Sequence, residues 1–301
     1  MESWITRKPT RRIHVGDVPI GNHAPIAVQS MTNTHTDDVT ATVAQIRQLT
    51  AAGCEIVRSA VPDPSAAAAI ATIKSRIDIP LIADVHFDHR LAITAAEAGA
   101  DGLRINPGNI GSMKKVRAVV DCARDHGIPI RIGVNSGSLE KDLVAEYGGV
   151  TPEAMVASAM RHIQLLESLY FHDIKVSLKA SDVYRTVSAY RLLSAQTDVP
   201  LHIGVTEAGG LYPGVVKSAI GIGMLLTEGI GDTLRVSLTR DPVEEVRVGY
   251  EILKALEIRR HGPEIISCPT CGRCNIDLFD IADRAEKALL TRPTPVKVAI
   301  M

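Results

Sequence analysis

Residues 80–106 read PLIADVHFDHRLAITAAEAGADGLRIN: a short apolar run, a polar turn, an amphipathic helical stretch, and a second apolar run. Outward from this unit the same rhythm repeats from about residue 25 to residue 259, and eight strand-helix pairs can be counted. The strands are expected at 26–31, 55–60, 80–85, 102–105, 129–134, 173–178, 201–205 and 233–238, with helical stretches such as 38–52 and 242–258 between and after them. The runs are apolar nearly throughout instead of alternating, as strands are when buried on both faces. A closed parallel (β/α)8 barrel is the economical α/β solution. An open doubly wound sheet would ordinarily carry a glycine-rich phosphate turn after its first strand, and neither G-x-G-x-x-G nor G-x-x-x-x-G-K-[ST] occurs. Before the first strand, residues 12–20 read as a hairpin turning at Gly16-Asp17 and plugging the barrel's bottom.

After Arg260 the rhythm breaks at His261-Gly262-Pro263. A short strand then leads into a cysteine loop, followed by a helix over 278–290 and a strand over 296–301. The expected organisation is a substrate-binding barrel over 1–259 and the first part of a small α/β domain over 260–301. The 38-residue connection from Asn135 to His172 holds one clear helix at 152–170 and leaves no room for an inserted domain.

The 301 residues are 46% hydrophobic and carry a formal net charge of -1. That is ample for a sizeable core and gives no global pull toward nucleic acid or an anionic membrane. One tryptophan and three phenylalanines do not make a stacking platform for single strands. Residues 1–12 lack the apolar core of a signal peptide, and no run is long and apolar enough to span a bilayer, so a cytoplasmic protein is expected.

Polar residues fall at the carboxyl ends of seven successive strands, where a barrel of this kind builds its active site. They are Arg58, Asp84 and His86, Arg104 and Asn106, Arg131 and Asn135, Lys175 and Lys179, His202 and Glu207, and Arg235 and Ser237. Any one strand-end arginine is ordinarily a solvated rim residue or half of a salt bridge. Burying even an uncharged polar group without a partner costs roughly 2–7 kcal/mol, so four strands that each place an arginine at one level point to a shared anion. The planar guanidinium fork matches phosphate oxygens, which favours a phosphate or diphosphate ester. Asp84 and Glu207 suit either acid-base work or the orientation of hydroxyl groups, and His86 and His202 suit catalysis or a structural hydrogen bond.

Five cysteines, three of them at Cys268, Cys271 and Cys274, are no secreted disulfide framework. SCPTCGRC (267–274) sets thiols three apart in a turn with proline and glycine, so two sulfurs can converge on one metal centre. Soft thiolates fit zinc and iron-sulfur clusters alike. Cys54 and Cys122 lie in apolar contexts and read as ordinary core residues.

Taken together, VQSMTNT (28–34), DVHF (84–87), RINPGN (104–109), GVN (133–135), VTEAG (205–209) and SCPTC (267–271) resemble the bacterial 4-hydroxy-3-methylbut-2-enyl diphosphate synthases, over essentially the whole chain. The resemblance implies reductive opening of 2-C-methyl-D-erythritol 2,4-cyclodiphosphate with loss of a hydroxyl, in the methylerythritol phosphate route to isoprenoids. It implies electrons from flavodoxin or ferredoxin through a [4Fe-4S] cluster. It also implies a homodimer in which one subunit's cluster domain covers the partner's barrel mouth. By motif, Arg58, Arg104, Arg131, Lys179, Arg235 and Ser237, with Asn135 nearby, match diphosphate-binding positions. Asp84, His86 and Glu207 match polar residues around the carbon skeleton, Cys268 and Cys271 match cluster ligands, and Cys274 matches none. The family's third cysteine and a glutamate ligand follow the strand at 296–301, so the expectation is a chain that natively continues past Met301. The competing reading is a phosphate-ester-binding barrel whose cysteines hold structural zinc without redox activity. A third is a phosphate-handling enzyme that uses Asp84 or Glu207 and no iron.

Overall fold

The computed structural model describes residues 4–289, 292 and 294–301. The expected hairpin is present as β1 (Ile13–Val15) and β2 (Val18–Ile20), paired antiparallel with Ile13 opposite Ile20. Gly16 makes the turn at φ +57°, tight against Pro80. Ile13, Val15 and Ile20 pack with Ala27, Ile56 and Ile82, which lie on three adjacent barrel strands, and so plug the barrel's bottom.

The barrel strands are β3 (Ala27–Met31), β4 (Ile56–Ala60), β5 (Leu81–Asp84), β6 (Gly102–Ile105), β7 (Ile130–Asn135), β8 (Ile174–Lys179), β9 (His202–Ile203) and β10 (Thr233–Leu234). They form one parallel sheet in the order β8-β7-β6-β5-β4-β3-β10-β9. A parallel bridge from Val176 to Leu201, next to β9, closes the ring. All eight expected strands are therefore found, but the last two are much shorter than 201–205 and 233–238. At Gly204 the chain turns to φ +156° and approaches the Arg235 carbonyl where a Cβ would not fit, so the ladder ends after the bond from Arg235 N–H to the Ile203 carbonyl, 3.1 Å. Arg235 and Ser237 consequently lie beyond β10 instead of inside a strand.

Eight helices follow the strands in turn: α1 (Val39–Ala51), α2 (Pro64–Lys74), α3 (His89–Glu97), α5 (Met113–Asp125), α7 (Pro152–Ser168), α8 (Val183–Gln196), α9 (Leu211–Thr227) and α10 (Pro242–Ala255). Two short helices not anticipated from periodicity, α4 (Pro107–Ile110) and α6 (Lys141–Glu146), sit in the loops after β6 and β7. Most of the strand-to-helix turns end on a capping side chain that satisfies an orphan amide. Asp38, Asp63, Asp88, Thr151, Asp182 and Asp241 each accept a hydrogen bond from the first helical turn. Proline at the first helical position of α2, α7 and α10 adds a preset φ. These caps fix where each loop ends, and with it how the mouth is shaped.

Beyond the barrel, β11 (Glu264–Ser267) and β12 (Lys297–Ile300) pair in parallel around α11 (Leu278–Leu289). The cysteine loop leaves the carboxyl end of β11, where Cys268 N–H donates to the Ile300 carbonyl at 3.0 Å. Among the described residues, no helix is long and apolar enough to cross a membrane.

Candidate active site

Asp84 closes β5 and is buried, as are Arg58 on β4 and Arg104 on β6. The strand register places Asp84 beside Ala60 on one neighbour and Arg104 on the other. Its carboxylate takes a hydrogen bond from Arg104 Nη1 at 3.1 Å and an ion pair from Arg58 Nε at 3.5 Å. Burial favours the neutral acid, but Arg58 and Arg104 outweigh it and hold Asp84 far below the ordinary carboxylate range. Asp84 is therefore a fixed anion that spaces two arginines, not a proton donor. His86, half exposed at the rim, brings Nε2 to 2.9 Å from Arg104 Nη1 and 3.6 Å from Asp84 Oδ1. Since a guanidinium only donates, the shorter contact uses the Nε2 lone pair.

On the next strand Arg131 lies in register with Arg104 and, across β7 to β8, with Lys175. Arg131 is 2% exposed, and none of its three nitrogens has a hydrogen-bond partner. Lys175 Nζ and His202 Nε2 are equally buried and unpartnered. His202 Nδ1 meets Thr233 Oγ1 at 2.8 Å, and burial, Arg131 and the two lysines push its imidazole well below its usual range, so it is neutral. Burial also lowers Arg58 to about 10 and draws Lys179 down strongly, with neighbouring cations adding to the fall at Lys179.

Arg235 completes the ring and finds a counterion that the sequence reading did not single out. Glu245, buried on α10, lies 3.3 Å from Arg235 Nε, accepts from Leu238 N–H at 2.9 Å, and faces Ser30 Oγ at 3.4 Å. The signal was available: Glu245 sits three residues after Pro242 on the face of α10 shared with Val246 and Gly249, all of them buried. Met31 was missed as well; its sulfur accepts from Arg58 Nη2 at 2.9 Å.

Six cations, Arg58, Arg104, Arg131, Lys175, Lys179 and Arg235, are thus answered by one carboxylate from a barrel strand, Asp84, and one from the helix α10, Glu245. Asp232 faces the opposite end, engaged by Arg7 at 3.1 Å and Thr10 at 2.9 Å. The remaining expected site residues are looser. Asn135 stands in register with Lys179 at the end of β7, and Ser237 is half-buried past β10. Glu207 is exposed at φ +50°, and its carboxylate makes no hydrogen bond or ion pair among the described residues, so the structure does not bring it to Asp84.

Two further features shape the mouth. His162 on α7 sets Nε2 2.8 Å from Glu140 Oε1, beside the loop after β7, without hydrogen-bond alignment; burial opposes the charge on Glu140, yet the pairing with His162 holds it down to about 2. Gly133 leaves room for Arg104: a Cβ there would meet the guanidinium, with Nη2 at 2.6 Å and Cζ at 2.7 Å. Gly133→Ala is expected to displace Arg104 and weaken pyrophosphate binding about 10- to 100-fold, the worth of one or two hydrogen bonds to a charged group. Titration calorimetry reads this directly, and an unchanged affinity would refute the packing role.

Cys268 and Cys271 are exposed free thiols on the loop after β11, with Thr270 between them at φ +64°. Hydrogen bonds with Arg273 lower the Cys271 thiol. As soft, accessible donors on one turn they fit two positions of an iron-sulfur ligand set. Among the described residues no three His, Cys, Asp or Glu side chains converge as a complete metal site. Cys54 is buried, its thiol pushed up to about 12, as a core residue should be.

Solved structures of similar shape include dihydropteroate synthase from Stenotrophomonas maltophilia, with a TM-score of 0.58 and 16% identity over 83% of this chain and 98% of that one. At that identity the likeness is one of barrel fold alone. Sequence relatives are far closer. The 4-hydroxy-3-methylbut-2-en-1-yl diphosphate synthase (flavodoxin) of Acidithiobacillus ferrooxidans is 58% identical over 300 residues, covering 100% of this chain and 82% of the relative. The protein of the same name from Chromohalobacter salexigens is 60% identical over 301 residues, covering 100% and 81%. The GcpE TIM-barrel domain matches residues 10–250 and the GcpE protein C-terminal domain matches residues 264–301, so the chain belongs to the GcpE family.

Proposed function

We propose that this chain is an oxidoreductase that converts 2-C-methyl-D-erythritol 2,4-cyclodiphosphate to (E)-4-hydroxy-3-methylbut-2-enyl diphosphate in isoprenoid biosynthesis, drawing electrons from flavodoxin. The observation that carries the reading is the excess of buried cations at the barrel mouth, above all Arg131, whose three nitrogens have no protein partner. In the reaction two carbon-oxygen bonds break, their electron pairs leaving on phosphate and on hydroxide. Two electrons form the new carbon-carbon double bond, and the hydroxide takes a proton and departs as water.

Arg58, Arg104, Arg131, Lys179 and Arg235, with Asn135 and Ser237, bind the diphosphate and stabilise the charge that grows on the leaving phosphate. Asp84, locked ionised between Arg58 and Arg104, orients the carbon skeleton's hydroxyl groups. His86, held at the rim by the Arg104 contact to its Nε2, is better placed than Glu207, which is exposed in its loop, to hand a proton from Nδ1 to the leaving hydroxide. Cys268 and Cys271 would hold a [4Fe-4S] cluster, which when bound supplies the electrons singly.

The domain division is proposed at 259/260. A homodimer is supported by exposed apolar residues: Tyr212, Val216, Ile220 and Met224 form a stripe along α9, Phe87 stands in the loop after β5, and Tyr184 lies in the first turn of α8. A cytoplasmic location suits reduced thiols.

Anaerobic reconstitution with iron and sulfide tests the redox half. The native protein is expected to take up iron and, with reduced flavodoxin, consume the cyclodiphosphate. Cys268→Ala/Cys271→Ala is expected to lose iron and turnover while binding the cyclodiphosphate within about twofold of wild type, since the thiols lie outside the barrel's electrostatics. Zinc in place of iron, with binding but no turnover, would replace this reading with that of a binding barrel.

A further inference from the structure

Lys175 stands four residues before Lys179 on β8, about 13 Å back along the strand and so deeper in the barrel. It is 1% exposed and its Nζ has no partner. The charged and titratable groups around it are Arg131 on β7, Arg58 on β4, His202 on β9 and Asp232 just ahead of β10. Asp232 is already occupied by Arg7, Thr10 and the Leu201 amide at 3.1, 2.9 and 2.9 Å. An ammonium here would be a desolvated charge beside a guanidinium, with Asp232 and Asp84 acting on the two only at a distance and neither carboxylate in an ion pair with them.

Of the two neighbours, Arg131 keeps its proton because a guanidinium starts from a much higher value. Lys175 is the group that yields. The balance reverses when a dianion settles on Arg131, because the same pocket then carries negative charge within reach of Nζ.

We propose that Lys175 is the proton-coupled floor of the anion site: a neutral amine beneath an empty mouth, it takes one proton from solvent onto Nζ when a diphosphate ester binds at Arg131. This rests on the reading of the mouth as a cyclodiphosphate site. The sign follows from linkage: a group whose affinity for protons rises on binding makes binding weaken as pH rises between its free and bound values.

The test is titration calorimetry of the cyclodiphosphate without reductant, in buffers of different ionisation enthalpy, between about pH 7 and 9. There the ligand has no proton to exchange and free imidazole is past its titration near 6.5. Wild type is expected to take up as much as one proton per ligand and to lose as much as about tenfold in affinity per pH unit. Lys175→Met is expected to bind more weakly, with neither uptake nor slope; Lys175→Arg is expected to bind without uptake. Binding by wild type with no proton uptake overturns the inference and leaves the diphosphate reading intact. Uptake that persists in Lys175→Met overturns it too, by assigning the proton elsewhere. If wild type binds neither the cyclodiphosphate nor sulfate, the reading of the mouth falls and this inference with it.

Discussion

Asp84→Asn is expected to destabilise the protein by about 3–5 kcal/mol in anion-free buffer, the range for removing one partner from a buried ion pair. The carboxylate is the shared counterion of Arg58 and Arg104, and an isosteric amide keeps its volume while setting an NH2 group against donors. Added sulfate or pyrophosphate should restore much of the loss, because an external anion can do for the two arginines what the carboxylate did. The pH dependence has a definite sign. The folded-state value of Asp84 is depressed, so its contribution is fully present above the unfolded value near 3.9 and is lost as pH falls below it. Wild type and variant should therefore differ most at neutral pH and converge in acid. Turnover is expected to fall about 100-fold or more, since both arginines lose their spacing. Urea denaturation at pH 7 and about pH 3, with and without sulfate, reads the effect; equal stability at neutral pH would show that Asp84 is not the counterion described.

The barrel was legible because its strands are buried on both faces and so read as apolar runs, and because aspartate, threonine and proline mark the helix starts. What periodicity could not show was where strand geometry gives out. The run 233–238 looks like any other, but the ladder ends at Arg235 because Gly204 brings a second backbone against it, a contact between residues 31 apart. The six residues of α6 were likewise too few to register, with only Leu143 buried.

For the site, placement at strand ends identified the cations Arg58, Arg104, Arg131, Lys179 and Arg235, and the structure gathers them inside one barrel. Which carboxylate answers which cation was not legible. Asp84 and Glu207 looked alike in sequence, yet one is clamped between arginines and the other is exposed in a loop. Glu245 went unread because it lies on a helix, outside the strand ends where an active site was sought, while serving Arg235 across the β10 loop. The role of Gly133 is also a contact property: a residue without a side chain announces nothing until Arg104 is seen lying on it.

Arg131→Met is expected to move stability and binding in opposite directions. No carboxylate in the barrel forms an ion pair with Arg131, and its three nitrogens lack partners, so the folded protein without an anion carries the full cost of that burial. Burial and the cations Arg58 and Arg104 oppose the charge, with Asp84 the main group favouring it. Methionine fills similar space without a charge, and replacing buried ionic groups by apolar ones commonly stabilises by about 1–4 kcal/mol. A rise of that size is expected in anion-free buffer. Cyclodiphosphate affinity is expected to fall by two orders of magnitude or more, about 3 kcal/mol, because a guanidinium with every donor open is the strongest single anchor for phosphate oxygens in the site. Thermal melts with and without the cyclodiphosphate read both at once: the variant should melt higher than wild type alone and lower than wild type with ligand. If Arg131→Met instead melts lower without ligand, the guanidinium has a structural partner, and a cost of burial recovered only on substrate binding is not what keeps it there.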